Sequence, residues 1–232
     1  MTALTFALPQ ESSGIRSAMR KCRKSAAGPY VLGEIASRPV LLAHTGMGLA
    51  AAEHTTDALL RAHSPRLVVS AGFAGALDSG LAVGDLVVAT NHSAPDLVEL
   101  ALPIAGARTF FGSLTTHPST VETAQEKAAL SQIAGGLAVD METAVIAELC
   151  KQAGVPLLSV RAISDSAGQA LPVPLDDWFD LGEQRPRPGR LCAFLGRNPG
   201  RVIPFVRFIA GLPRSRSALT TFLLRLLPLL PE

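Results

Sequence analysis

Cysteine is scarce. Cys22, Cys150 and Cys192 are odd in number and far apart, with no C-x-x-C and no nearby histidine, which excludes a disulfide framework and a structural zinc. Charge is scarce too, 17% of 232 residues against 48% hydrophobic, with 20 Gly and 17 Pro, which excludes a disordered, collagen-like or coiled-coil chain. No basic n-region precedes the short apolar run Met1 to Gln10, so no signal peptide is read there and a cytoplasmic location is expected. No apolar run is long: Ala218 to Leu230 holds 13 residues broken by Arg225 and Pro228, short of the roughly 20 that a bilayer crossing needs. The five histidines, His44, His54, His63, His92 and His117, form no metal spacing and read as surface or satisfied core residues.

What is present is one chain of ordinary domain size. Short apolar runs alternate with longer periodic segments, the sign of a sheet covered by helices. Strands are expected at Leu4 to Leu8, Tyr30 to Ile35, Val40 to Thr45, Leu67 to Ala71, Asp85 to Thr90, Thr109 to Leu114, Leu137 to Asp140 and Leu157 to Ile163. Helices are expected at Ser12 to Lys24, Leu49 to Ala62, Thr120 to Ser131 and Glu142 to Ala153, the last closed by Gly154 and Pro156. The fold class is therefore α/β: a single-domain α/β/α layer structure with a mixed or parallel central sheet over residues 1–170, plus a helical C-terminal extension over 171–232.

The extension is a different electrostatic object. Beyond residue 180 lie 9 Arg, no Lys and 2 Glu, whereas the preceding body carries a net charge of −5. Residues 171–190 read as an irregular Pro-rich connector. Val202, Ile203, Phe205, Val206, Ile209 and Ala210 recur at helical spacing among arginines, with Pro204 tolerable in a first turn, and a second helix fits Ser217 to Leu227. Such a basic amphipathic segment suits peripheral contact with the inner face of a membrane, or packing on the acidic body.

Open α/β sheets bind ligands at the carboxyl ends of their strands. Three acids fall there: Glu11, Glu142 and Asp165. Two glycine-rich turns, His44 to Gly48 and Ser70 to Gly75, would add backbone N–H donors to the same cleft. Each acid also has a structural reading: Asp165 as a turn or cap residue, Glu142 as a complement to a helix N-terminus, Glu11 as part of a helix start.

In combination the residues resemble a known family. Ala138-Val139-Asp140-Met141-Glu142-Thr143-Ala144, then Val160-Arg161-Ala162-Ile163-Ser164-Asp165, is similar to the signature of the nucleoside phosphorylase and nucleosidase family, nearest to its 5′-methylthioadenosine/S-adenosylhomocysteine nucleosidases. Ala7 to Glu11, Thr45 to Gly48 and Ala71 to Gly75 through Asp85 match in the same order, so the resemblance spans about residues 4–170. The tail, with Arg197-Asn198-Pro199-Gly200, resembles the hopanoid-associated members, which act on adenosylhopane.

The resemblance implies cleavage of the N-glycosidic bond of an adenosine-type nucleoside with release of adenine, by an N-ribosyl hydrolase or a nucleoside phosphorylase, in a homo-oligomer. Asp165 would protonate the purine N7, Glu142 would bind the ribose hydroxyls with Met141 packed on the sugar, and Glu11 would orient the attacking water. Met47, Phe73, Ala74, Gly75 and Ser164 would line the substrate. The chemistry agrees: bond breaking builds positive charge on the sugar and negative charge on the base, so an acid belongs near the base and anions near the sugar. An acid in that role should be kept protonated by burial or a neighbouring carboxylate.

Neither a cofactor nor a metal is implied, only phosphate as co-substrate if the enzyme is a phosphorylase. Ser70 and Phe73 stand where family phosphorylases carry Arg and Ser ligands to phosphate, which favours hydrolysis; Arg16 is the one candidate to compensate. The segment between Thr90 and Thr109 is shorter than in a typical nucleosidase, so either the 5′ side is wider and suits a bulky apolar substituent or a partner subunit closes it. The partner implied is a small nucleoside, with no nucleic acid. Two other readings remain: a dinucleotide-binding module, disfavoured because the third glycine and the distant acid of the fingerprint are missing, and an inactive membrane-associated protein of the same fold.

Overall fold

The computed structural model describes residues 1–231. In chain order the body contains β1 (Thr2–Phe6), α1 (Pro9–Ala18), β2 (Arg20–Lys24), β3 (Val31–Ile35), β4 (Arg38–His44), α2 (Leu49–His63), β5 (Leu67–Ala76), β6 (Leu86–Ala89) and α3 (Pro95–Ala101). It continues through β7 (Thr109–Gly112), β8 (Leu114–Thr116), α4 (Ala124–Ala134), β9 (Ala138–Asp140), α5 (Thr143–Gln152) and β10 (Leu157–Asp165). The C-terminal part adds α6 (Leu175–Trp178), a two-stranded hairpin of β11 (Phe179–Asp180) and β12 (Arg185–Pro186), α7 (Pro188–Arg197) and α8 (Val202–Leu226).

The central sheet is mixed, in the order β2-β3-β4-β1-β5-β10-β6-β7, with β9 on the far end of β5 and β8 beside β9. Its middle, β4-β1-β5-β10, is parallel and buried on both faces. Pleating explains why these strands are apolar throughout: neighbours along a strand point to opposite faces. Leu4, Leu42, Val69 and Leu158 enter one core with α1, α3 and α8, while Ala3, Leu41, Val68 and Leu157 enter the other with α2 and α5. The α/β/α layering expected from the sequence is thus the observed fold.

Several elements differ from expectation. The helix expected from Ser12 to Lys24 begins at Pro9, which suits a first helical position, and stops at Ala18. Arg20–Lys24 instead form an edge strand against β3, exposed along its whole length, so no apolar alternation marks it and its basic side chains guard the sheet edge. The strand expected from Thr109 to Leu114 is two strands: β7 pairs with β6 and β8 with β9. The change of partner occurs beside Leu114, whose N–H and C=O are both bonded by the Asn91 side chain. The expected helix Thr120 to Ser131 is capped later, by Thr123 and Glu126 in a reciprocal box.

The Ser70 to Gly75 segment is not a turn: β5 runs straight through it, pairing with β10 and then β9. The short segment after Thr90 carries α3, whose Leu97 and Ala101 are buried. The connector is built too, with Val173, Leu175 and Phe179 buried around α6 and the hairpin.

The tail divides by burial. The two expected helices are one, α8, with Pro204 in its first turn and Pro213 inside. Leu219, Phe222, Leu223, Leu226, Leu227 and Leu230 belong to the same core as β1 and α1. By contrast α7 buries nothing, and Val202, Ile203, Val206 and Ile209 of α8 are exposed.

Candidate active site

Glu11, Glu142 and the backbone of β5 meet in one cavity. It measures about 10 Å³, close to the space of a single water, and is lined by both acids with Thr5, Thr45, Ser70, Phe73 and Arg161. The Thr5 hydroxyl on its wall has no hydrogen-bond partner among the described residues. Glu11 sits in the first turn of α1 and uses its two oxygens differently. One accepts the Leu8 N–H at 2.8 Å, closing the helix start, and the other accepts the Phe73 N–H at 2.8 Å. The structural reading of Glu11 as part of a helix start therefore holds, and its second oxygen faces β5 at the cavity. Gly72 permits this approach, because a Cβ there would lie 3.1 Å from the carboxylate.

Glu142 precedes α5 but makes no cap bond with its side chain. It reaches across to the Gly48 N–H at 2.7 Å, in a turn where Gly46 and Gly48 take φ of +81° and +87°, conformations open to glycine. Burial pushes the Glu142 carboxyl up to about 7, helped by Asp140 nearby and opposed by the Gly48 N–H and Arg161. Burial also raises Glu11, against the pull of its two N–H donors and Arg161. Burial thus raises both acids around one small cavity.

Asp165 closes β10, the strand beside β5. It pairs with Gly75 of β5, two residues beyond Phe73, which at about 3.3 Å per residue sets it roughly 7 Å further along the strand direction than the Glu11 contact. The Ser164 hydroxyl donates to one of its oxygens at 2.6 Å. The other faces an ammonium, Lys127 of α4, rather than a neighbouring carboxylate, while Asp165 itself is buried, the other of the two expected surroundings. Ala74 and Gly75 line the strand between the two ends, and the Ser164 hydroxyl also lies 3.2 Å from the Ala74 carbonyl.

Met47 and Met141 flank the same mouth, with Met141 Cε 3.9 Å from where a Gly48 Cβ would stand. The connector closes over it. Gln184 of the hairpin accepts the Met47 N–H at 2.7 Å and donates to the Met47 carbonyl at 2.9 Å.

The Phosphorylase superfamily sequence pattern matches residues 3–99 and 92–187. The chain belongs to the phosphorylase superfamily. It is 32% identical over 168 residues to the 5′-methylthioadenosine/S-adenosylhomocysteine nucleosidase of Actinobacillus succinogenes, covering 58% of this chain and 71% of that one. It is 28% identical over 180 residues to the enzyme of the same name from Shewanella oneidensis, covering 65% and 76%. Among solved structures, the Neisseria meningitidis 5′-methylthioadenosine/S-adenosylhomocysteine nucleosidase in complex with methylthio-immucillin-A superposes with a TM-score of 0.74 at 22% identity, covering 99% of both chains. Helicobacter pylori futalosine hydrolase gives 0.74 at 19%, covering 99% and 97%; both confirm the fold. As a superfamily member with these acids the chain is an enzyme, an N-ribosyl hydrolase or phosphorylase.

Three site residues of this superfamily member escape a reading of the sequence. Arg161 is buried behind the cavity and gives all its N–H groups to protein: to Asp140 (2.9 Å), the Ser70 carbonyl and hydroxyl (3.0 Å each), the Thr143 hydroxyl (2.6 Å) and the Val160 carbonyl (3.1 Å). A lone arginine in an apolar strand, buried on both faces, was the available signal. Lys127 and Gln184 gave none, standing in an ordinary helix and a polar connector. Arg16 does not reach the cavity: it is exposed on α1 and lies against Cys22 Sγ at 3.0 Å.

Proposed function

We propose that this enzyme cleaves the N-glycosidic bond of an adenosine-type nucleoside by hydrolysis, releasing adenine. The observation that carries the reading is the pairing of a two-acid cavity sized for one water with a third acid at the end of the adjacent strand β10, opposite Gly75 and so two residues beyond Phe73 in register. Glu142 takes the ribose hydroxyls and Glu11 holds the water. Asp165 faces the purine, and Met47, Phe73, Ala74, Gly75, Met141 and Ser164 line the substrate. The curated relatives, named for methylthioadenosine and adenosylhomocysteine, support an adenine base.

Water is favoured over phosphate on electrostatic grounds. Arg161 spends every donor on protein acceptors, Arg16 faces away, and a phosphate dianion would meet two carboxylates in the same space. Incubation with 5′-methylthioadenosine is expected to give adenine and the free ribose derivative at a rate that added phosphate leaves unchanged. Detection of a ribose 1-phosphate as the main product would assign the reaction to phosphorolysis.

The natural substrate on this reading carries a bulky apolar 5′ group, an adenosyl lipid such as adenosylhopane. Support comes from the basic, unpacked face of α7 and the start of α8. Val202, Ile203, Val206 and Ile209 are exposed among Arg190, Arg197, Arg201 and Arg207, and residues 184–231 contain no acid. An anionic lipid surface complements that charge, with each basic residue contributing about 1 kcal/mol. The protein is expected to float with phosphatidylserine-containing vesicles, to be released by high salt, and to lose binding in Ile203→Asp/Val206→Asp while keeping activity on methylthioadenosine. No flotation, or a wild-type dimer that this variant dissociates, would assign the face to a second copy of the chain.

A further inference from the structure

Lys127 is the one buried residue of α4, with 1% of its surface exposed. Its ammonium has three protons and three acceptors: the Asp165 carboxylate, the Ser166 carbonyl at 2.9 Å and the Gln169 carbonyl at 2.8 Å. The strand opposite is bare at this point, because a Cβ on Gly75 would lie 3.1 Å from Asp165 Oδ2 and 3.6 Å from Lys127 Cε. The other charged groups nearby are already engaged: Glu126 caps its own helix, the Glu122 carboxylate accepts the Leu175 N–H, and Asp140 holds Arg161. The fold has therefore brought one buried cation to the acid at the base end of the site, across 38 residues of sequence.

We propose that Lys127 is the positioning residue of the general acid, holding the loop after β10 and supplying through Asp165 the proton that the departing purine takes. This rests on the nucleosidase reading. As C1′–N9 breaks, its electron pair goes to the purine, the Lys127 ammonium passes a proton to the Asp165 carboxylate and becomes an amine, and N7 takes that proton from Asp165. The water that bonds to C1′ gives its proton to Glu11, which releases it to solvent, and solvent returns a proton to Lys127. A lysine ammonium can hand a proton to a hydrogen-bonded carboxylate, whereas an arginine guanidinium keeps its protons.

The test uses two substrates, 5′-methylthioadenosine and p-nitrophenyl β-D-ribofuranoside, whose leaving group departs without a proton. Lys127→Met is expected to lower kcat on the nucleoside by roughly 10²-fold, with KM within a few-fold and cleavage of the riboside retained; Asp165→Asn should share that split, while Glu142→Ala should lose both. Lys127→Arg keeps the charge and the donors to the loop but holds its protons, so it is expected to fold with a wild-type circular dichroism spectrum and still turn over the nucleoside at least about tenfold more slowly. A Lys127→Arg enzyme with wild-type kcat on the nucleoside would overturn proton supply, whether or not the riboside is cleaved. Equal losses on both substrates in a folded Lys127 variant would do the same and leave the nucleosidase reading intact. A wild-type protein that releases adenine from no nucleoside would overturn both.

Discussion

Glu142→Ala and Asp165→Asn should each lower adenine release by roughly 10²-fold or more, the scale of a lost acid–base or charge-stabilising group. The two losses should be far from additive, since one group meets charge on the sugar and the other on the base in the same transition state. A folded variant of either kind with near-normal turnover would remove that residue from the mechanism.

Glu142 adds a pH signature to the same expectation. With its carboxyl pushed up to about 7 by burial, Glu142 in the proposed ribose-binding role would be the weaker acceptor below neutrality, so kcat/KM should climb with pH and level off above about 7. Glu142→Gln should flatten that limb. Stability runs the other way: a carboxyl whose folded value lies above its ordinary 4.5 contributes fully below 4.5 and loses that contribution as pH rises through about 7. Glu142→Gln should therefore melt higher than wild type above pH 7 while being the poorer catalyst. A variant equally or less stable there would show that Glu142 is not ionised against a desolvation penalty.

The second large effect is expected at Arg161→Met. Both partners of the Arg161–Asp140 pair are buried, and Asp140 also takes the Thr116 hydroxyl and the Thr143 N–H at the start of α5. Removing the guanidinium leaves a buried carboxylate facing apolar surface, together with the Ser70 carbonyl that it satisfied. A loss of about 3–5 kcal/mol follows from breaking one side of such a pair. Urea denaturation measures it, and a change under about 1 kcal/mol would mean that water replaces the cation freely. Arg161 therefore serves first as the post on which β5, β9, β10 and α5 are fastened around the cavity.

The mouth of the cavity shows how little of this can be read locally. Gly46 and Gly48 stand out in the sequence, and their positive φ values confirm a turn that only glycine adopts easily. Nothing near them announces Gln184, which grips the Met47 peptide across 137 residues from a connector that looks unstructured. The second glycine segment misled for a related reason. Small residues at Ala71 to Gly75 read as a turn, but their smallness serves a strand that must let two carboxylates, Glu11 and Asp165, approach its backbone.

By itself the sequence determined the layered α/β fold, through paired apolar neighbours such as Ala3/Leu4, Val68/Val69 and Leu157/Leu158 that serve a core on each face of one sheet. It also determined the family, through the ordered motifs around Glu11, Gly48, Glu142 and Asp165: the first two and the last stand at strand ends of the parallel middle of the sheet, where ligands bind, while Glu142 follows β9, which runs antiparallel to β5. Only the tertiary structure decided which cation meets which acid. Lys127 with Asp165, Arg161 with Asp140, and the split of α8 into a core half and an exposed half depend on how crossovers stack helices on the sheet. Local periodicity fixes which side of an element is buried, and leaves open the partner waiting there.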